Sequence, residues 1–139
     1  MKNIILFALL LSGGFFCTAQ SSKISVAELP QPAKIFLSKH YKNRPVASCR
    51  KKDASTAPYE VRLAQGTAIK FAENGDWREV DGDGASLPKA MLPENVAEYI
   101  QANFPRKRIT SIEKSANSIE VNLNGDIALA FDAKGQLLQ

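Results

Sequence analysis

Histidine and cysteine, the side chains that most often bind transition metals or act as nucleophiles, are scarce in this 139-residue chain. It has one histidine, His40, and two cysteines, Cys17 and Cys49. A single histidine cannot supply the imidazole pair of a typical metal site, and neither a nucleophile–base pair nor a cluster of metal ligands is visible in the sequence. The sequence therefore predicts no catalytic residues, no metal and no cofactor, and a protein that is not an enzyme.

Long apolar runs are also missing, apart from one at the N-terminus. That run, Ile4 to Leu11, is too short to span a membrane. Lys2 precedes it, small residues follow it, and Ala19 lies where a signal peptidase requires a small residue, which is the arrangement of a secretory signal peptide. We therefore expect cleavage after Ala19, and a periplasmic or secreted mature protein without a transmembrane segment.

Cys17 lies inside this predicted signal peptide. Phe15 and Phe16 precede it, where a lipoprotein signal has small residues. We therefore expect no lipid anchor, and Cys17 is lost with the signal peptide. The mature chain then retains Cys49 alone, which cannot form an internal disulfide.

What the chain does contain is an internal repeat. Leu29-Pro30 recurs 63 positions later as Leu92-Pro93, and apolar residues then recur at the period of an amphipathic helix. The two stripes are Ala33, Phe36, Leu37, His40 and Tyr41, and Val96, Tyr99, Ile100, Asn103 and Phe104. The pattern predicts two equivalent helices, which end before Pro45 and Pro105.

Strand patterns follow both predicted helices. Residues 46–52 correspond to 109–115, and "YEVRL" (59–63) corresponds to "IEVNL" (119–123), with the alternation of half-buried antiparallel strands. After glycine-containing turns, "TAIKF" corresponds to "IALAF", and short final strands are expected at 77–80 and 137–138. Cys49 corresponds to Ile112, which predicts a buried cysteine.

These elements predict an α+β fold, a two-layer α/β sandwich. It is formed by tandem duplication of a helix–antiparallel-strand unit, with the helices on one face of a shared antiparallel sheet. Residues 20–139 form a single domain of two repeats, about 27–80 and 90–139, joined by the Gly/Asp-rich linker 81–88, "DGDGASLP". The linker aspartates hint at calcium, but no glutamate closes the loop at EF-hand spacing, so a turn is favoured.

The "F-x-x-x-G-x-W-x-E-V-D-G" stretch (71–82) and the two Leu-Pro helices resemble the PepSY-like, β-lactamase-inhibitor-protein-like domains of small secreted bacterial proteins. The resemblance covers essentially the whole mature chain. It implies a two-layer α/β fold of tandem repeats in the periplasm or outside the cell. The biochemical role of these domains is largely undefined, and the inhibitor label describes their shape.

Two surfaces are candidates for binding a partner, and the first is the uncovered face of the sheet. If the apolar positions of each strand pack under the helices, the intervening polar residues face outward. The candidate residues of this face are Glu60, Arg62, Lys70, Trp77, Glu120 and Asn122. Trp77 corresponds to Leu137, which favours a core or edge-covering position, although tryptophan is also a common binding anchor.

The second candidate surface consists of the basic clusters after the two helices. The formal net charge of +4 is too small to indicate nucleic acid by itself, and aromatic residues do not alternate with these cations, so no nucleic acid is expected. The cations complement the dipole of the preceding helix, or they contact an anionic glycan, lipid headgroup or acidic protein. The residues of these basic corners are Lys42, Arg44, Arg106, Lys107 and Arg108.

The sequence thus predicts a non-enzymatic binding module that contacts an unknown protein or envelope component through the open sheet face or the basic corners. The alternative is an inhibitor of an envelope or secreted hydrolase, either a protease or a β-lactamase. Tight inhibition requires aromatic and arginine anchors, and the predicted sheet face has few of them.

Overall fold

The computed structural model describes residues 20–138. The predicted signal peptide, with Cys17, lies outside the described residues. The described chain forms two helices, α1 (Gln31–His40) and α2 (Glu94–Asn103), and eight strands. The strands are β1 (Ser21–Lys23), β2 (Val46–Lys52), β3 (Tyr59–Leu63), β4 (Ala68–Phe71), β5 (Trp77–Asp81), β6 (Ile109–Lys114), β7 (Ser118–Leu123) and β8 (Ile127–Asp132). Short 3₁₀ turns at Val26–Glu28 and Lys89–Met91 precede the helices.

The eight strands form one open sheet in which their spatial order equals their order in the chain. All neighbouring strands are antiparallel, so the mixed α/β class with an antiparallel sheet is confirmed. Because side chains alternate across a strand, residues paired in register share a face. One buried row crosses the sheet at Cys49, Val61, Ile69, Val80, Ile112 and Val121.

The helices cover the face that carries this buried row. Phe36 of α1 meets Phe71 of β4 edge-to-face at 5.6 Å, and Tyr99 of α2 meets Phe131 of β8 in the same way at 5.6 Å. Residues of both helices and of β2–β8 belong to one continuous apolar core. No helix of residues 20–138 lies over the opposite face of the sheet, and we call it the open face.

Each helix begins directly after a Leu-Pro dipeptide, as predicted. Pro30 and Pro93 are the N-cap residues, with the extended backbone typical of that position. Both helices are ten residues long, and no helix in the described part of the chain is long and apolar enough to cross a membrane.

Three features of the structure differ from the sequence prediction. The edge strand β1 was not expected, because "SSK" has no apolar alternation; it forms by pairing with Arg50–Lys52 of β2. The strand expected at 137–138 is reduced to a single bridge between Phe131 and Leu137. The predicted linker 81–88 starts one residue later, because Asp81 still belongs to β5.

Candidate binding surfaces

The open face carries a row of charged side chains that runs straight across the middle of the sheet. Each member lies next to a buried residue in its own strand, so the alternation that builds the core also points these side chains to the other face. The register aligns them in the order Arg50, Glu60, Lys70, Glu79, Glu113 and Glu120.

Part of this row forms the floor of a cleft of about 580 Å³, which we call the open-face cleft. Its floor includes Glu60, Lys70, Glu79 and Glu113. Its walls are the β2–β3 loop at residues 55–57 and the β6–β7 turn at residues 115–116, and Arg78 and Lys114 line it near these walls. Of the predicted open-face residues, the structure therefore brings Glu60 and Lys70 together in one concave site.

The charges of the cleft are paired on one side and unpaired on the other. Lys70 Nζ contacts Glu79 at 2.9 Å, and this hydrogen bond raises the pKa of Lys70. Glu60 lies between Lys52 (3.3 Å) and Arg62 (3.5 Å). Among the described residues, the ion pairs include neither Glu113 nor Glu120. Glu113 and Glu120 therefore make no direct ion pair with a described cation.

Arg62 and Asn122 occupy the next row of the open face, outside the cleft. Arg62 donates a long hydrogen bond (3.4 Å) to the carbonyl of Gly66, and Asn122 donates one to Ser111 Oγ at 2.8 Å. Both side chains are exposed. Glu120 continues the central row beyond the cleft, next to Glu113.

Trp77 does not lie on the open face, and its predicted position there was wrong. A β-bulge between Lys70 and Phe71 pairs Trp77 with Phe71, and Phe71 points toward the helices. The indole ring packs against Phe36 of α1, with ring centroids 5.8 Å apart. Trp77 is therefore a half-buried residue of the helix side of the sheet.

Comparison with known proteins agrees with this architecture. A family model described as "Putative beta-lactamase-inhibitor-like, PepSY-like" matches residues 57–139, which is more than half of the chain. The chain belongs to this PepSY-like family. The resemblance predicted from the sequence is therefore confirmed.

Solved structures of similar proteins cover nearly all of the described fold of this PepSY-like protein. A "putative calcium-regulated periplasmic protein" of Bacteroides thetaiotaomicron is 30% identical, with a TM-score of 0.81 over 86% of this chain and 94% of its own. Two "putative periplasmic" proteins of Bacteroides vulgatus are 26% and 28% identical, with TM-scores of 0.78 and 0.79 over 86% of this chain and 94% and 98% of theirs. No curated protein matches the sequence.

The two basic corners of the PepSY-like domain lie at the same end of the sheet. Both corners directly precede a strand, β2 or β6, and these two strands run in the same direction because three antiparallel strands separate them. Four strand spacings set the corners about 19 Å apart. Lys42, Arg44, Arg106 and Arg108 are exposed and Lys107 is half-buried. The walls of the open-face cleft stand at the opposite end.

His40 and Cys49 have structural surroundings. His40 packs against Phe36 at 4.7 Å, and burial together with Lys39 lowers its pKa. Cys49 is 4% exposed, which confirms its predicted burial, and burial raises the pKa of its thiol. Within residues 20–138, no group of three or more His, Cys, Asp or Glu side chains is placed to hold a metal ion.

Proposed function

We propose that this PepSY-like protein is a non-enzymatic binding module of the cell envelope, and that a protein partner binds at the open-face cleft. The observation that carries the proposal is the row of charged side chains on the floor of this concave site, in which Glu113 forms an ion pair with no described cation. The Glu113 carboxylate complements a basic side chain of a partner, and complementary charge sets the specificity and the rate of association.

The arrangement of this row supports a binding role because it is unfavourable for the isolated protein. Glu79 lies directly opposite Glu113 across β5 and β6, and Glu113 lies opposite Glu120 across β6 and β7. Like charges directly opposite each other destabilise a sheet. Basic side chains of a partner, placed between these facing carboxylates, would remove this repulsion.

A crosslinking pull-down tests the proposal. The bait is tagged protein from Gln20 onward, in extract of the native cell envelope, compared with Glu113→Lys in the cleft. Glu98→Lys is the matched control, because Glu98 is an exposed carboxylate on α2, away from the open face. We expect one partner to be captured by wild type and by Glu98→Lys, and lost with Glu113→Lys. Equal capture by Glu113→Lys would refute binding at the cleft.

The same pull-down includes two further conditions. Arg106→Glu/Arg108→Glu tests the basic corners, which are the alternative surface for an anionic partner; loss of a partner in this variant alone would assign binding to that end of the sheet. Calcium or a chelator in the buffer tests whether the calcium regulation named for the Bacteroides thetaiotaomicron relative extends to this chain.

Inhibition of a hydrolase is the second candidate function, because the family is described as beta-lactamase-inhibitor-like. The central row of the open face has no aromatic side chain, and Trp77 lies on the opposite side of the sheet. Aromatic anchors dominate tight interfaces, so we rank inhibition below binding without inhibition. Activity assays of β-lactamases and envelope proteases with micromolar protein distinguish the two, since only an inhibitor lowers turnover.

We further propose export with cleavage after Ala19. The periplasmic description of the related structures supports it, as does the predicted signal peptide. N-terminal sequencing of the protein from a periplasmic fraction should begin at Gln20. A protein that retains Met1 would contradict cleavage.

We also infer that the two helix–strand units are equivalent repeats. Bulges occur at the same place in both, between Val46 and Ser48 and between Ile109 and Ser111. The residue after β3 donates a backbone hydrogen bond to the segment before β2, from Ala64 N–H to the Pro45 carbonyl. In the same way, the residue after β7 donates one to the segment before β6, from Asn124 N–H to the Arg108 carbonyl. If the units are equivalent, a variant in which the buried residues of α1 are replaced by those at the matching positions of α2 should still fold. Circular dichroism of this variant measures whether the secondary structure is retained.

A further inference from the structure

A second cleft, of about 260 Å³, lies on the helix side of the sheet, between α1 and the β5–β6 pair. We call it the Trp77 cleft. Its apolar wall is formed by Ile35, Phe36 and Trp77, and the cationic side chains Lys39 and Lys114 line it together with His40. Ile35 is 57% exposed, so apolar surface of α1 faces the solvent at the mouth of this cleft.

Lys114 is the unusual residue of the Trp77 cleft. Its ammonium lies 3.9 Å from the centroid of the Trp77 ring, and no described carboxylate is within ion-pair distance of it. Asp76 is the acidic residue in the cleft lining, and its carboxylate accepts a hydrogen bond from Asn74. The half-buried ammonium of Lys114 thus packs on an aromatic ring and is attracted by Asp76, but it forms no ion pair with a described carboxylate.

Lys51 provides an internal comparison, because it occupies the corresponding position in β2. Its ammonium also lies near an aromatic ring, 5.0 Å from the centroid of Tyr59, but it contacts Glu73 at 3.0 Å. Glu73 lies two residues after the core phenylalanine of the first unit, Phe71. The residue at the same distance after Phe131 in the second unit is Ala133. Lys114 has no counterpart of the carboxylate that neutralises Lys51.

From this geometry we propose that the Trp77 cleft binds a small organic carboxylate with a flat apolar body. The carboxylate pairs with Lys114, and the body packs on Trp77 and Ile35. A partly desolvated cation without an ion-pair partner favours an anionic ligand, while the apolar wall favours a ligand with an apolar body over a bare inorganic ion. The volume is slightly below that of sites for drug-sized ligands, which limits the ligand to a small molecule.

Trp77 reports on this site directly, because it is the only tryptophan of the chain. The test titrates the protein from Gln20 onward with phenylacetate and with its neutral analogue phenylacetamide, and follows tryptophan emission. We expect a saturable change with phenylacetate, and an affinity for phenylacetamide at least about tenfold weaker, as expected for loss of a charged hydrogen bond. No saturable change up to about 10 mM, the weakest binding of interest, would overturn the proposal, as would equal affinity for acid and amide.

Two lysine variants make the test specific. Lys114→Gln should weaken phenylacetate binding by about tenfold or more and leave phenylacetamide unchanged, whereas Lys51→Gln should change neither. If Lys114→Gln alters the emission of the free protein, the indole N–H resonance of Trp77 in a ¹H–¹⁵N spectrum gives the same affinities. Unchanged binding in Lys114→Gln would refute the assignment. Because Lys114 also lines the open-face cleft, Glu113→Lys, which alters the lining of that cleft and not of the Trp77 cleft, separates the two tests and should leave phenylacetate binding unchanged.

Discussion

Tyr41, which follows α1, carries an unfavourable polar group into the core. The residue is 9% exposed, and its hydroxyl is the buried side-chain polar atom without a hydrogen-bond partner in the described part of the chain. Leaving such a group unpaired costs about 1–3 kcal/mol. We expect Tyr41→Phe to raise the free energy of unfolding by about 1 kcal/mol at pH 7, measured by urea denaturation. A loss of stability would show that the hydroxyl has a partner in solution.

The same residue predicts the behaviour of the protein at alkaline pH. Burial raises the pKa of Tyr41 from 10.0 to about 12. Between these values the unfolded chain has released the phenolic proton while the folded protein still holds it, so stability falls as pH rises. We expect wild type to lose more stability than Tyr41→Phe between pH 10 and 11.5. The pKa of Lys70 is also raised, but its effect on the pH dependence of stability is the same in both proteins and cancels in the comparison. Parallel pH profiles would contradict the prediction.

Cys49 should be nearly inert in the native protein. Its side chain is buried, and both burial and Glu28 raise the pKa of its thiol, whereas reaction requires an accessible thiolate. We expect a thiol reagent at pH 8 to react with native protein at least about a hundredfold more slowly than with the unfolded chain. Cys49→Val/Arg50→Cys moves the thiol to the exposed neighbouring position and should restore fast reaction. Fast reaction of native Cys49 would indicate that β2 opens readily.

At the scale of elements, the turn between β4 and β5 holds the N-terminus of α1 through Gly75. A Cβ added there would lie 2.8 Å from Pro30 Cβ and 3.2 Å from the backbone nitrogen of Ala33. Gly84 is a matched control, because its φ of +86° is close to the +90° of Gly75 and no atom lies within 4 Å of its added Cβ. Both alanine variants have the same backbone strain, but only Gly75→Ala displaces the helix.

We therefore expect Gly75→Ala to lower the free energy of unfolding more than Gly84→Ala does, by about 1–3 kcal/mol, the usual cost of overpacking. Urea denaturation of both variants measures the difference. Equal destabilisation would mean that the helix adjusts to the turn without cost.

The elements that were predictable from sequence are those with strong periodicity. Residues 46–52 and 59–63 form β2 and β3 with the predicted bounds, because their apolar residues alternate and their turns are marked. Trp77 was misplaced because a bulge adds Arg78 to β5 and reverses the alternation for the residue before it. A bulge of this kind depends on how two strands pair, and the residues of β5 alone do not indicate it.

At the scale of the whole molecule, half of the charged floor of the open-face cleft could not be predicted from the sequence, again because it depends on how strands pair. Glu60 and Lys70 were predicted from neighbouring strands of a single hairpin. Glu79 and Glu113 become neighbours only because β5 pairs with β6 across the linker. That register is set by the packing of Val80 and Ile112 in the common core, a contact between residues distant in sequence.

The pairing of β5 with β6 also predicts that the two units unfold together. Val80 and Ile112 are fully buried and belong to one continuous core with residues of both helices, so exposing one unit leaves an apolar edge on the other. Trp77 emission reports on the first unit and on its contact with Lys114 of β6, whereas circular dichroism reports on the whole sheet. We expect both signals to give the same urea midpoint and one cooperative transition. Val80→Ala should lower both midpoints equally, because it weakens the shared junction by about 1 kcal/mol or more. Separate midpoints in wild type would show that the units are independent, and the carboxylate row that depends on their pairing would then not be a fixed surface.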